Sequence, residues 1–158
     1  MSKFTIIDGF YIKPCGEFEV KYDQEFIRRS WPTSFEEKES IMAYPPRKCG
    51  VQHVELYYLT YGGSIPYWQV RNRIHKMGYK VADVYMLQAF TQEYGGSERL
   101  FALGSRYRHA CPCCRYAVPW HDYNPHNRVV TSVNFVSEYR KCYSSWLSEG
   151  HDKFLAYR

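Results

Sequence analysis

The stretch from Val54 to Leu103 constrains the fold more than any other, because its apolar period changes from two to helical and back again. Val54, Leu56 and Tyr58 alternate as in a half-buried strand that ends at Gly62-Gly63. Ser64 is then placed to cap a helix, with Pro66 in its first turn. Tyr67, Val70, Ile74 and Met77 recur on one helical face, and Gly78 stands where a helix C-terminus favours positive φ. Asp83 is a good N-cap for a second helix. Val84, Leu87, Phe90 and Tyr94 mark the buried stripe of that helix, which Gly95-Gly96 ends. Leu100 to Leu103 reads as a central strand, followed by Gly104.

The flanks are less regular. Thr5-Ile6-Ile7 and Phe10-Tyr11-Ile12 are short strand candidates around Asp8-Gly9, and Phe18 to Tyr22 alternates. Trp31 to Pro46 mixes proline, serine and charges without a period, so residues 1–50 read as an N-terminal extension packing on the core. Tyr116 to Val118 is a short strand that stops at Pro119, and Val129 to Val136 alternates. Tyr139 to Trp146 fits either a strand or a long loop, and Phe154 to Tyr157 is a closing strand. Strand, two helices, then several strands is an α+β order, with the domain at 51–158.

A chain of 158 residues with 45% hydrophobic side chains can bury the core of one domain. Aromatic residues make up 18%, including 16 tyrosines, more than a core needs. Tyrosine joins apolar area to a polar tip, so the excess fits a recognition surface or half-buried positions along a sheet. The net charge of +5 is unevenly spread. Arg71, Arg73, Lys76 and Lys80 lie in a stretch without acids, as do Arg99, Arg106, Arg108 and Arg115. An acidic partner, nucleic acid or plain solvated faces would each account for this. The first residues carry no sustained apolar segment, and no run approaches the ~20 apolar residues that cross a bilayer. A cytoplasmic protein without a membrane partner is expected, and its oligomeric state is left open.

His109-Ala-Cys111-Pro-Cys113-Cys114 gathers three of the six cysteines. Cys111 and Cys114 have the spacing by which two thiolates grip one tetrahedral ion, and Cys49-x-x-x-His53 is the best second pair. His109, Cys113, His121 and His126 are further candidates. Structural zinc is one reading; a disulfide or free thiols are the others. Cys15 and Cys142 read as small apolar fillers.

Several short motifs carry a resemblance. Gly78-Tyr-Lys-Val-Ala-Asp83 followed by Leu87 resembles the run G-Y-R-P-A-T-x-x-E-L of small uncharacterised bacterial and phage proteins. Ala102-Leu-Gly-Ser105 resembles their A-L-G-S strand, Val118-Pro-Trp120 their V-P-Y, and Phe154-Leu-Ala-Tyr-Arg158 their F-L-A-V-R. Those proteins are similar to C-type-lectin-like folds, the group that includes formylglycine-generating enzymes and the variable proteins of diversity-generating retroelements. The resemblance spans about residues 50–158. It implies a C-type-lectin-like domain with two helices and a mostly antiparallel sheet, a rigid scaffold that displays loops. Val81 stands in place of the usual proline, and the Cys111–Cys114 loop is outside the shared pattern.

Three functional expectations follow. The first is a non-catalytic module that binds a protein or other macromolecule through its C-terminal aromatic loops, with Trp120, Tyr123, Asn124, Arg140, Tyr143 and Trp146 as contacts. A phage-encoded inhibitor of a host defence protein would fit this small, basic, aromatic chain. The second is a nucleic-acid-binding protein with a zinc-stabilised cysteine loop, in which Arg71, Arg73, Lys76, Arg106, Arg108 and Arg115 meet phosphates. The third is a cysteine-dependent redox or metalloenzyme, although the chain has no nucleophile elbow, phosphate-binding glycine loop or HExxH helix.

Overall fold

The computed structural model describes residues 5–26, 46–94, 100–105, 117–121, 133–137 and 153–158; at 67–68, 94, 117–121 and 133–137 it describes the backbone alone. The architecture is mixed α+β, built on a mostly antiparallel sheet. In chain order its elements are β1 (Thr5–Ile7), β2 (Phe10–Tyr22), β3 (Gly50–Tyr61), α1 (Tyr67–Lys76), β4 (Lys80–Val81), α2 (Val84–Tyr94), β5 (Leu100–Phe101), β6 (Ala117–His121), β7 (Val133–Ser137) and β8 (Lys153–Tyr157). The sheet order is β1-β2-β3-β8-β5-β6-β7, with β4 also paired to β8. Among the described residues, no helix is long and apolar enough to cross a membrane.

The sequence suggests separate strands at 10–12 and 18–22, but the structure has one strand of 13 residues. It pairs with β3 from Phe10↔Tyr61 to Tyr22↔Gly50. The interval between the two strand candidates contains a β-bulge, where the register shifts between Pro14 and Gly16. One extra residue reverses the side-chain alternation. Phe10 and Ile12 therefore face one side of the sheet, while Phe18, Val20 and Tyr22, of the same sequence parity, face the other.

This switch divides the core between the two faces. On one face Phe10, Ile12, Tyr57, Leu59, Phe101, Leu103 and Phe154 pack beneath Val70 and Ile74 of α1. On the other, Phe18, Val20, Tyr22, Val54, Leu56, Leu100 and Leu155 pack beneath Val84, Met86, Leu87 and Phe90 of α2. The closing strand β8 thus lies in mid-sheet, and Phe154, Leu155 and Ala156 are buried in succession. It runs antiparallel to β3 and parallel to β5.

The helix ends differ from one another. Ser64 does not cap α1: Pro66 is the N-cap residue, without a side-chain cap, and its carbonyl accepts from Gln69 and Val70. At the other end Gly78, with φ +89°, donates to His75 O, and Tyr79 donates to Ile74 O. That is a Schellman closure, as the glycine implies. Asp83 does cap α2: its Oδ1 accepts from Met86 N at 2.9 Å. Past the helices, β6 continues through Pro119 to His121 instead of stopping before it, paired to both β5 and β7. Residues 129–132 lie outside the described residues, so the expected strand there is observed from Val133.

Candidate functional site

One edge of β8 receives two different strands. β5 pairs at Lys153 and Phe154, and β4 at Ala156 and Tyr157. The chain leaves both strands at the same place, β4 into α2 and β5 into Gly104-Ser105. The fit is close: Ala82 N donates to Leu155 O at 3.0 Å, and Gly104 N donates to Ala82 O at 2.8 Å. A Cβ at Gly104 would fall 2.6 Å from Val81 O and 2.7 Å from Ala82 O, so only glycine fits without movement of backbone.

A cleft of about 700 Å³ opens beside this junction. The segment before β3 contributes Arg47 and Lys48, and the end of α1 contributes His75, Gly78 and Tyr79. Lys80 and Val81 of β4, Asp83 and Tyr85 at the start of α2, Gly104, Ser105 and Tyr157 complete it. Three motifs far apart in sequence, Gly78–Asp83, Ala102–Ser105 and Phe154–Arg158, thus meet at one place.

Asp83 is the acidic group among the described lining residues of the cleft. Burial raises its pKa, opposed by hydrogen bonds from Met86 N and the Tyr22 hydroxyl and by the charge of Lys48. The Tyr22 hydroxyl donates to Asp83 Oδ2 at 3.0 Å, and Tyr22 is pushed well above the usual phenol range by burial and by that carboxylate. Tyr85 is raised to about 12 by burial and then by Asp83, and Tyr157 is raised for the same two reasons. These hydroxyls stay protonated at neutral pH. Ser105 Oγ is also occupied, accepting from Val84 N at 2.8 Å. The carboxylate and the serine hydroxyl both serve the first turn of α2.

The cations are differently placed. Lys48 Nζ lies 4.9 Å from the Tyr157 ring centroid and 5.8 Å from that of Tyr22. Lys80 Nζ lies 5.9 Å from the same Tyr157 ring. Among the described residues, Arg47, Lys48 and Lys80 form no ion pair; His53 Nδ1 and Glu17 Oε1, 3.7 Å apart, do. Tyrosine rings hold further cations: Lys153 over Tyr58, Arg158 over Tyr57 and Tyr79, and Arg73 over Tyr61.

Of the basic residues singled out in the sequence, Arg71 is buried, with its guanidinium donating to the Leu103 carbonyl. It holds α1 to the sheet rather than facing solvent. Arg73 is partly buried, its guanidinium 5.4 Å from the Tyr61 ring centroid, and Lys76 is exposed. Arg106, Arg108 and Arg115 lie outside the described residues, as do Tyr123, Asn124, Arg140, Tyr143 and Trp146. Trp120 is in β6, its backbone opposite Phe101 and Asn134, and its side chain is not described. Cys49 is exposed just before β3, and His53, within the strand, turns its ring toward Glu17. Cys111 and Cys114 are outside the described residues, and no group of three or more potential metal ligands occurs within them.

The sequence had shown Asp83 only as a helix cap and had not connected Lys48, Lys80 and Tyr157. Its one signal for the cleft was the set of short motifs, read separately. No family model matches the chain, and neither does any curated protein or solved structure.

Proposed function

We propose that the chain is a non-catalytic, cytoplasmic binding module for a protein or other macromolecule, built on a C-type-lectin-like scaffold. One observation carries this reading. Asp83 and Ser105, the carboxylate and the serine among the described lining residues of the cleft, both serve to cap α2, while cations, tyrosines and His75 are left for contact. Tyrosine beside lysine or arginine is the chemistry of recognition surfaces. Trp120, Tyr123, Asn124, Arg140, Tyr143 and Trp146 are the contacts in this proposal, and a host defence protein is the partner that suits a phage-encoded inhibitor. Structural zinc on Cys111 and Cys114, completed by Cys49 and His53, belongs to the same proposal.

The test is native mass spectrometry of the purified protein, before and after a chelator, with wild type compared to Trp120→Ala/Trp146→Ala. A co-purified macromolecule lost from the variant at unchanged melting temperature is the expected result. Retention of the same partner by the folded variant overturns the role of these loops, and one zinc released by the chelator establishes the metal.

A second reading, nucleic-acid binding, is favoured by the exposed Lys76 at the end of α1 and the exposed Lys80 in β4. Arg71 no longer belongs to that surface. This reading expects oligonucleotide affinity that falls steeply with salt, as counterion release requires. Binding unaffected by salt would remove it.

A further inference from the structure

The structure assigns the cleft between Lys48, Lys80 and Tyr157 as a binding site for the phosphate group of a small phosphorylated molecule, an activity beyond the macromolecular reading and independent of it.

Four observations carry the assignment. The first is charge. Arg47, Lys48 and Lys80 all line one cleft, with His75 beside them, and Asp83 is the carboxylate among its lining residues. Asp83 already accepts from Met86 N and from the Tyr22 hydroxyl, so it offers the cations only partial compensation. Among the described lining residues, three cations against one occupied carboxylate leave an excess that matches a dianion.

The second is placement. Lys48 and Lys80 approach the same Tyr157 ring from different segments of the chain. The ring restrains both flexible stems, which reduces the entropy lost when their ammonium groups close on a ligand. Like charges gathered in this way repel until an anion lies between them. The third is the lack of a carboxylate ion pair: among the described residues, none of the three cations is ion-paired, although Asp23, Glu19 and Glu55 occur elsewhere on the described chain.

The fourth is size. About 700 Å³ is the volume of a small-molecule site, not of a groove that tracks a nucleic-acid backbone. The walls at Tyr79, Tyr85, Val81 and Gly78 add apolar and aromatic surface for the body of such a ligand. A phosphate ester combines the two requirements, a dianion and a compact organic part.

The experiment is isothermal titration of the full chain with inorganic phosphate, AMP, adenosine and a single-stranded oligonucleotide. AMP is expected to bind with Kd of about 1 mM or tighter, phosphate more weakly, and adenosine at least about tenfold more weakly than AMP. Lys48→Gln and Lys80→Gln should each weaken AMP about tenfold or more, and Lys153→Gln, whose ammonium lies over Tyr58 away from the cleft, should not. Melting curves of the single variants show that each is folded. Equal binding by all three variants, AMP no tighter than adenosine, or an oligonucleotide that binds more tightly per phosphate than AMP would each overturn the assignment. None of these outcomes bears on whether a macromolecule co-purifies with the chain.

Discussion

The two faces of the sheet carry similar amounts of apolar packing but different chemistry. The α1 face is closed by Phe10, Ile12, Leu59, Phe101 and Phe154, with Arg71 pinning α1 to Leu103 O. The α2 face has an equally apolar centre at Phe18, Leu56, Met86 and Phe90, but its margin is polar: Tyr22, Tyr85 and Tyr157 surround Asp83. The comparison shows how one sheet separates two tasks. Burial on the first face includes two phenols, Tyr57 and Tyr79, and the arginine but no carboxylate, whereas the second face couples its packing to the cap of α2 and to the cleft.

The largest break in this comparison is a core deletion. Phe101→Ala and Phe90→Ala, one on each face, should each cost about 3–5 kcal/mol, because both rings are almost wholly buried. Urea unfolding measures both, and a much smaller loss on one face would show that it is less tightly packed than the other. Next is Gly104→Ala. Its new Cβ meets backbone oxygens of Val81 and Ala82, which cannot rotate away, and overpacking of this kind costs about 1–3 kcal/mol. The same unfolding assay should show this loss together with weaker AMP binding, since Gly104 also lines the cleft.

A third prediction separates the faces by pH. Burial raises the Asp83 pKa in the folded state above the ordinary carboxylate value of 3.8, so the folded chain binds this proton more tightly than the unfolded one. Its contribution to stability is fully present below pH 3.8 and is lost as pH rises through the raised folded value. The melting temperature of Asp83→Asn, compared with wild type across that window, should therefore fall less with rising pH. Phe101→Ala, on the other face, should keep the wild-type slope. An Asp83→Asn slope equal to wild type would mean that the carboxylate is better solvated than its position indicates.

The smallest effect concerns the bulge that creates the two faces. Deleting Cys15 turns the shifted register at Pro14 and Gly16 into a regular ladder and leaves Ile12↔Leu59 and Phe18↔Val54 in place. Both cores should survive. The melting temperature should move only by the few degrees that about 1 kcal/mol produces in a chain of this size. A collapse of stability would show that the bulge supplies twist the sheet needs.

Much of the local structure was legible in sequence. Gly78 announced the end of α1, Asp83 the start of α2, and Phe154 to Tyr157 a strand, because each depends on backbone rules that act over a few residues. Ser64 misled, since a serine before a proline satisfies the same local pattern whether or not its side chain reaches the helix. The join between the strand candidates at 10–12 and 18–22 is not visible in sequence, because a bulge needs a partner strand before it can be seen. The cleft was harder still: Lys48, Lys80 and Tyr157 are unremarkable where they stand in the chain.

The sequence by itself determined the α+β class, the period of β3 and of the two helices, and the caps that begin α2 and end α1. These are fixed by steric and hydrogen-bonding preferences of neighbouring residues. Tertiary structure alone decided which face Phe18 and Phe10 occupy, that the last described strand lies in mid-sheet, and that Lys48 and Lys80 meet at Tyr157. Those outcomes depend on pairing between distant segments, where one unpaired residue in β2 reverses a face and one shared edge of β8 brings β4 and β5 together.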